Sequence, residues 1–259
     1  MVEELQRRLD TCPAPPDYIG IAGSGEPTLN SQVGLLIDKV KAVTSIPVAV
    51  LTNGALLWMP EVRADLMRAD LVLPSLDAGD DRAFQRVNRP HPDLSFAEMV
   101  EGIASFTASF AGQVWLEILL LADVTGVPEE ASKIATLADY IGPARVQLNT
   151  VCRPPTERSA LAVAEADLHA LKALFRGEVD IISHESGGQT VTTPVEGPSD
   201  DEILMLVRRR PCTASDIANG LTMHINDTLK RLDILVATAR VTTTVMGDRT
   251  YFTVPGTPD

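Results

Sequence analysis

The sequence predicts an α/β protein in which parallel strands joined by helices are followed by a small helical domain that ends in a β-hairpin. Three observations carry that prediction. Over roughly the first 180 residues, short β-branched or apolar runs alternate with longer stretches of helical periodicity, the pattern of parallel strands linked by crossover helices. A segment at 183–199 (SHESGGQTVTTPVEGPS), rich in turn formers and poor in apolar residues, then interrupts the pattern as an interdomain linker. Beyond it, amphipathic periodicity returns and gives way to two strand-like runs around a glycine turn.

The elements can be read in order. A helix from Val2 to Leu9 leads to a strand at Tyr18 to Ala22, a helix at Gln32 to Val43, a strand at Pro47 to Thr52 and a helix at Pro60 to Arg68. A strand at Leu71 to Pro74 precedes helices at Asp80 to Arg86 and Ser95 to Phe110. Then come a strand at Val114 to Leu121, a helix at Pro128 to Ile141, a strand at Arg145 to Asn149, a helix at Ala164 to Phe175 and a strand at Val179 to Ile182. Pro60-Glu61 and Pro128-Glu129-Glu130 place proline and carboxylates in first helical turns, where orphan N–H groups and the helix dipole favour them. After the linker, Ile203, Leu206 and Val207 form an apolar stripe, Thr213 to Asp216 reads as a capping box, and Gly220 ends a short helix. Ile225, Leu229, Leu232 and Val236 mark a longer helix, and Arg240 to Val245 and Thr250 to Val254 pair around Met246-Gly247-Asp248-Arg249. Three helices and a two-stranded wing are the order of a winged helix-turn-helix. The expected domains are therefore 1–182, a linker at 183–199, and 200–259.

Composition bounds the possibilities. A chain of 259 residues with 45% hydrophobic and 22% charged content can fill one large core and one small one. The richest apolar run, Val114 to Ala122, is interrupted by Glu117 and is far shorter than the roughly 20 residues of a membrane span. The N-terminus shows no apolar signal region, so a cytoplasmic location is expected. Cys12, Cys152 and Cys212 are odd in number and widely spaced, which argues against a disulfide framework and supplies no local metal-ligand spacing. From Ser199 onward seven Lys/Arg face eight Asp/Glu, so nearly all of the net charge of −13 lies before Ser199, most of it in the first domain. That acidity opposes a broadly polyanion-binding surface.

In parallel α/β barrels the ligand site lies at the C-terminal ends of the strands. The polar residues there are Gly23-Ser24-Gly25-Glu26-Pro27-Thr28, Thr52-Asn53-Gly54, Ser75-Leu76-Asp77, Glu117, and Gln147-Leu148-Asn149. Each admits a local reading. Gly25-Glu26-Pro27 can be a strand-ending turn with a capping role, Asn53-Gly54 a turn pair, and Ser75 or Asp77 a helix cap. Glu117, within an apolar strand, requires either a polar cavity or an ion-pair partner. Arg89, His91 and Arg153 lie in polar loops and can read a substrate anion or stay solvated.

The segments PDYIGIAGSGEPTLN, IPVAVLTNGALLW, ADLVLPSLDAG, VNRPHPDLSF, WLEILLL and RVQLNTVCRPP, in this order, resemble radical SAM proteins of the wyosine-synthase-related group of iron-sulfur oxidoreductases. The resemblance implies a partial (β/α) TIM-like barrel of radical SAM type that lacks its first strand. It implies that Ser24, Gly25, Glu26 and Pro27 form the motif binding the amino group of S-adenosylmethionine (SAM). Thr52, Asn53, Ser75 and Asp77 fall where the family contacts methionine and ribose, and Gln147 and Asn149 face adenine or substrate. A glycine that admits a ligand and a carboxylate that pairs with an ammonium agree with those roles. The resemblance further implies an electron donor such as flavodoxin or ferredoxin.

Radical SAM chemistry also needs a 4Fe-4S cluster held by three thiolates, usually CxxxCxxC, with SAM completing the open iron. No such motif occurs in the sequence. In the family it follows the first barrel strand, so Met1 falls just downstream of it, and truncation or a misassigned start is expected more than a decayed enzyme. The activity implied is cleavage of SAM to a 5′-deoxyadenosyl radical and hydrogen abstraction from a small molecule, a protein or RNA, with this chain not competent alone. Two other readings stand beside it. In one, the chain is a regulator whose winged helix binds DNA, contacting phosphates through Lys230, Arg231, Arg240 and Arg249, while the barrel is sensory or vestigial. Asp227, Asp233 and the near-neutral charge of that domain favour protein contacts or substrate presentation over DNA. In the other, a cluster-free barrel binds SAM or another nucleotide.

Overall fold

In the computed structural model of the protein, the described residues are 2–12, 14–23, 25–155, 160–182, 198–221 and 223–255. They fall into two compact units, Met1–Thr150 with Ala162–Ile182, and Val151–Leu161 with Ser183–Asp259.

The first unit runs α1 (Val2–Thr11), β1 (Ile19–Ile21), α2 (Val33–Val43), β2 (Val48–Thr52), α3 (Pro60–Leu66), β3 (Leu71–Pro74), α4 (Asp81–Val87) and α5 (Phe96–Ser109). It continues with β4 (Gln113–Leu120), α6 (Pro128–Ile141), β5 (Arg145–Thr150), α7 (Glu165–Lys172) and β6 (Val179–Ile181). The six strands form one parallel sheet in chain order, β1 to β6. When each crossover advances by one strand in the same hand, the helices collect on one face and the sheet curls around the other, as in a TIM-like barrel. The mixed α/β architecture is thus that of a partial barrel.

Alternation along the central strands separates the two faces. Val114, Leu116, Ile118 and Leu120 of β4 and Val146 and Leu148 of β5 are buried, in one apolar cluster with Ile103 and Phe106 of α5 and Ile134 and Ala138 of α6. Full burial of such a side chain contributes roughly 1.5–3 kcal/mol. The intervening residues, Trp115, Glu117, Leu119, Arg145, Gln147 and Asn149, are half-buried on the concave face. Curvature is visible in one contact across that face: the Tyr18 ring, just before β1, meets Trp115 of β4 edge to face at 6.1 Å. In a flat sheet these strands would lie roughly 14 Å apart, at about 4.8 Å per strand.

Local chemistry sets the boundaries. Asp80 caps α4 by accepting from the Ala83 N–H at 2.9 Å, and Ser95 caps α5. Pro128 opens α6 and Gly142, at φ +64°, closes it in the left-handed conformation. The α5 backbone lies so close to the turn after β2 that a Cβ on Gly102 would stand 2.3 Å from the Trp58 nitrogen. The last helix of the unit ends at Lys172 instead of Phe175, because its final turn tightens to i→i+3 bonds at Ala173, Leu174 and Phe175.

The second unit holds α8 (Asp200–Arg209), α9 (Ala214–Gly220), α10 (Ile225–Ala237) and an antiparallel hairpin of β7 (Thr242–Met246) and β8 (Arg249–Thr253). Ile203, Val207, Cys212, Ile217, Leu232, Leu235 and Phe252 form its core. The Thr213–Asp216 capping box is present, and a second joins Ser199 to Glu202, so the residue read as the end of the linker is the cap of α8. Met246 pairs with Arg249, which leaves a two-residue turn with Gly247 at φ +62°. The greater part of the expected linker, 183–197, lies outside the described residues.

Segment Val151–Leu161 groups with this second unit. Tyr251 donates its hydroxyl to the Cys152 carbonyl at 2.5 Å, and Arg153 stands 3.9 Å from Asp216. The base of the excursion is stapled in the first unit: Thr150 Oγ1 accepts from the Val163 N–H at 2.8 Å, donates to the Leu120 carbonyl at 2.9 Å, and Ala162 bridges to Leu121. Among the described residues no helix is long and apolar enough to cross a membrane.

Candidate functional site

The C-terminal ends of β1 to β5 gather carboxylates that form no ion pair among the described residues. Glu26 stands first. It caps the 3-10 turn Pro27–Leu29, in which Pro27 takes the first position, and its Oε1 accepts from the Thr28 N–H at 3.0 Å, the Thr28 hydroxyl at 2.6 Å and the Thr52 hydroxyl at 2.5 Å. Its Oε2 accepts the Asn53 N–H at 2.7 Å and keeps capacity for a further donor. The capping reading and the site reading of Glu26 thus coexist: one oxygen is saturated by the protein while the other is held in place. Apart from its chain neighbours, no described residue has an atom within 4 Å of where a Cβ on Gly25 would sit. Ser24 lies outside the described residues.

Asn53-Gly54 forms the turn its composition predicts, with the Ala55 N–H donating to Asn53 Oδ1 at 2.9 Å and Gly54 at φ +74°. Thr52 Oγ1 is buried and also accepts the Gly54 N–H at 3.1 Å, so one hydroxyl ties the β2 turn to Glu26.

Asp77 does not cap the helix after it, since Asp80 does. β3 and β4 splay here: Ser75 bridges to Glu117, the Leu76 N–H donates to the Glu117 carbonyl at 2.9 Å, and the next ladder position is filled by the Asp77 side chain. Asp77 Oδ1 accepts the Leu119 N–H at 2.9 Å and Oδ2 accepts Asn88 Nδ2 at 3.0 Å. Burial pushes the Asp77 carboxyl above the usual carboxylate range, against the pull of those two donors.

Glu117 has no ion-pair partner among the described residues. Its Oε1 is 2.6 Å from Asn149 Nδ2 on β5, two residues beyond its register partner Gln147. Burial, and then the charge of Asp77, push its carboxyl up, with the Asn149 contact opposing them. The Asn149 Oδ1 is buried without a hydrogen-bond partner among the described residues. A buried acceptor left open in this way costs free energy until something donates to it.

The loop candidates separate. Arg89 is exposed and left-handed, at φ +46°, directly before Pro90. His91 Nδ1 accepts the Asp93 N–H at 3.3 Å on an exposed loop. Arg153 belongs to the second unit and faces Asp216. The structure thus joins Glu26 with Thr52 and Asn53, and Ser75 and Asp77 with Glu117 and Asn149. Two participants were given no role by the sequence reading: Thr28, which it placed at the end of the polar segment after the first strand, and Asn88, which sat beside the charged residues that drew attention instead.

No group of three Cys, His, Asp or Glu placed to hold a metal occurs among the described residues. Cys12 is exposed in the first unit, whereas Cys152 and Cys212 belong to the second. The second unit has a cavity of about 460 Å³ lined by Thr213, Ser215, Leu229, Arg249, Thr250 and Phe252, with none of the carboxylates above.

No family model matches the chain. It is 36% identical over 223 residues to a GTPase Obg of Brachyspira hyodysenteriae, covering 83% of this chain but 32% of that protein. The chain thus spans about a third of that relative, and its sequence contains no GxxxxGK[S/T] phosphate loop. Among solved structures, a radical SAM methyltransferase from Sphaerobacter thermophilus superposes with a TM-score of 0.54 at 17% identity, covering 70% of this chain and 56% of that one. A domain of pyruvate-formate lyase-activating enzyme from Bacteroides vulgatus gives a TM-score of 0.50 at 19% identity, over 64% of this chain and 98% of that one. Streptococcus suis SuiB bound to S-adenosylmethionine gives 0.51 at 13%, over 71% and 44%. These likenesses show a fold shared with those proteins. A UPF0026 protein of Helicobacter pylori is 30% identical over 256 residues, which are 97% of this chain and 80% of that protein, and on that match the chain belongs to the UPF0026 family.

Proposed function

We propose that the first unit binds S-adenosylmethionine at the C-terminal edge of its sheet, as the cofactor-binding part of a radical SAM enzyme. The observation that carries this reading is the Glu26 carboxylate, fixed by Thr28, Thr52 and Asn53, with one oxygen still able to accept. A carboxylate whose orientation is already set loses little entropy on meeting an ammonium group, and a charge-assisted hydrogen bond is the stronger kind. Glu26 would take the α-ammonium of SAM, Gly25 would let the methionine backbone approach, and Ser75 and Asp77 would receive ribose hydroxyls. Gln147 and Asn149 would meet the adenine or the substrate. In radical SAM enzymes, cluster and SAM together supply a 5′-deoxyadenosyl radical. The cysteines of this chain do not fit a cluster, so no step through one is derived for it. Within the superfamily, the motifs favour the wyosine-synthase-related group, while the acidity of the first unit gives no support to an RNA substrate.

We read the second unit as a winged helix used for protein contacts. Arg231 and Arg240 face Asp200, Arg240 also pairs with Asp201, and Lys230 lies 3.6 Å from Asp227. Cations engaged by the unit's own aspartates are poorly placed to neutralise phosphates.

Titration calorimetry of the whole chain with SAM tests the assignment. Saturable binding is expected, weakened roughly 10- to 100-fold by Glu26→Gln, since a charged hydrogen bond contributes about 1.5–3 kcal/mol. No saturable heat in the parent chain, or an unchanged affinity in the variant, would sink it.

A further inference from the structure

Asn149 has one end of its amide unspent. Its nitrogen lies 2.6 Å from Glu117 Oε1, while the oxygen is buried and has no donor among the described residues. Amide N–H donors normally sit about 2.9–3.0 Å from an oxygen, whereas hydroxyl donors centre at about 2.7–2.8 Å. A 2.6 Å separation therefore suits an O–H···O bond better than an N–H···O bond. The two ends of an amide are distinguished only by their partners. If they are exchanged, the contact becomes a carboxyl O–H donating to the amide oxygen.

The surroundings of Glu117 agree with that exchange. From the β3 side the ionisable group acting on it is Asp77, and from β5 it meets Asn149, with Gln147 as its backbone register partner, both uncharged. No lysine, arginine or histidine acts on it among the described residues. Arg145, on the same face of β5, is engaged by Glu178 and Asp180. The two carboxyls are not equivalent. Asp77 receives the Leu119 N–H and the Asn88 amide, both of which stabilise a negative charge, whereas Glu117 has the single Asn149 contact. Burial raises both carboxyls, Asp77 the more deeply buried, and when two neighbouring carboxyls titrate together the charge settles on the one with more donors and the proton on the other.

We propose that Glu117 carries a proton at neutral pH and donates it to Asn149 Oδ1, leaving the Asn149 NH2 to face the buried position that lacks a partner. The group read there is a hydrogen-bond acceptor on the bound molecule: a carbonyl, a ring nitrogen or a carboxylate oxygen. Loss of the proton to water would turn the amide back, place its oxygen toward the ligand, and exchange that preference for a donor. Glu117 is thus a positioning residue whose protonation selects the ligand chemistry at Asn149. The protonation state belongs to the ligand-free protein and does not depend on SAM being the ligand, although the predicted SAM profile below rests on that reading.

Infrared spectroscopy of the ligand-free whole chain at neutral pH, in H2O and in D2O, tests the proton directly. The parent chain should show the carbonyl stretch of a protonated carboxyl, shifted in D2O, and Glu117→Gln should remove it. Asp77→Asn should keep the band but lose it at lower pH, because the neighbouring charge that holds the proton is gone. Absence of the band in the parent, its survival in Glu117→Gln, or an unmoved transition in Asp77→Asn would overturn the proposal. Circular dichroism checks folding; should Glu117→Gln fail to fold, the parent and Asp77→Asn titrations decide. SAM affinity should then fall through the same pH transition in the parent and stay level in Glu117→Gln, and a level parent profile would overturn the ligand preference. If SAM does not bind, the infrared result decides alone.

Discussion

The two ends of the concave face treat charge in opposite ways. At the N-terminal end, Arg145 lies between Glu178 at 2.9 Å and Asp180 at 2.7 Å, with its guanidinium 4.8 Å from the centre of the Trp115 ring. Trp115 in turn meets Tyr18. At the C-terminal end, Glu26 and Asp77 accept only from N–H and hydroxyl groups of the protein and Glu117 meets the Asn149 amide, with no ion pair among the described residues. A cation set among its own carboxylates and an aromatic ring has its charge paired within the protein, although its buried Nε lacks an acceptor among the described residues. Carboxylates oriented by several neutral donors, as Glu26 and Asp77 are, leave their charge unpaired among those residues. The difference separates an end of the sheet whose charges are paired within the protein from one whose carboxylates form no ion pair among the described residues.

The largest effect should come from breaking the paired end. Trp115→Ala removes both the edge contact to Tyr18 and the ring beneath Arg145, and should lower unfolding stability by about 2 kcal/mol. Urea denaturation measures that loss; if calorimetry then shows SAM affinity falling as steeply as in Glu26→Gln, the two ends are not separate. A smaller effect, about 1 kcal/mol, is expected from Asn88→Ala, which deletes one donor to Asp77 and leaves its carboxyl more dependent on the Leu119 N–H. Its signature is an Asp77 titration moved further up, read by carboxyl NMR; an unmoved titration would show that Asn88 does not hold the charge.

The smallest effect concerns pH alone. Burial and Asp77 hold the Glu117 carboxyl above its ordinary range, so its contribution to stability is fully present below that range and is lost as pH rises through the folded value. The parent chain should therefore lose stability relative to Glu117→Gln on moving from weak acid to alkaline pH. Urea midpoints across that interval check it, and a difference that does not change with pH would contradict the sign.

Much of this was legible in the sequence. Leu71–Pro74 and Pro128–Ile141 have the expected limits, because proline and acidic first turns mark edges that tertiary packing does not move. The alternation of Glu117, Leu119, Gln147 and Asn149 with buried neighbours also follows from strand periodicity. The pairing of Glu117 with Asn149 does not, since it is diagonal and depends on a register that places Leu119 opposite Asn149. Nor does a sequence reveal that Asn88 reaches back eleven positions to Asp77, or that Tyr18 crosses the face to Trp115. The local alternatives fared unevenly for a physical reason: Asn53-Gly54 and Glu26 do form turn and cap, while Asp77 is released from capping because Asp80 lies nearer the first turn of α4.

The excursion at Val151–Leu161 bears on how the protein can be divided. Residues needed by the hairpin unit are encoded ahead of α7 and β6, so a cut in the sequence after Ile182 does not coincide with a cut in structure. A fragment that begins at Ser199 would leave the Tyr251 hydroxyl without the Cys152 carbonyl and Asp216 without Arg153. Recombination that exchanges the C-terminal unit between relatives therefore has to carry a second, internal cassette with it, and chimaeras that swap only the tail should inherit a mismatched seam. The fold is modular in space but interleaved in its gene.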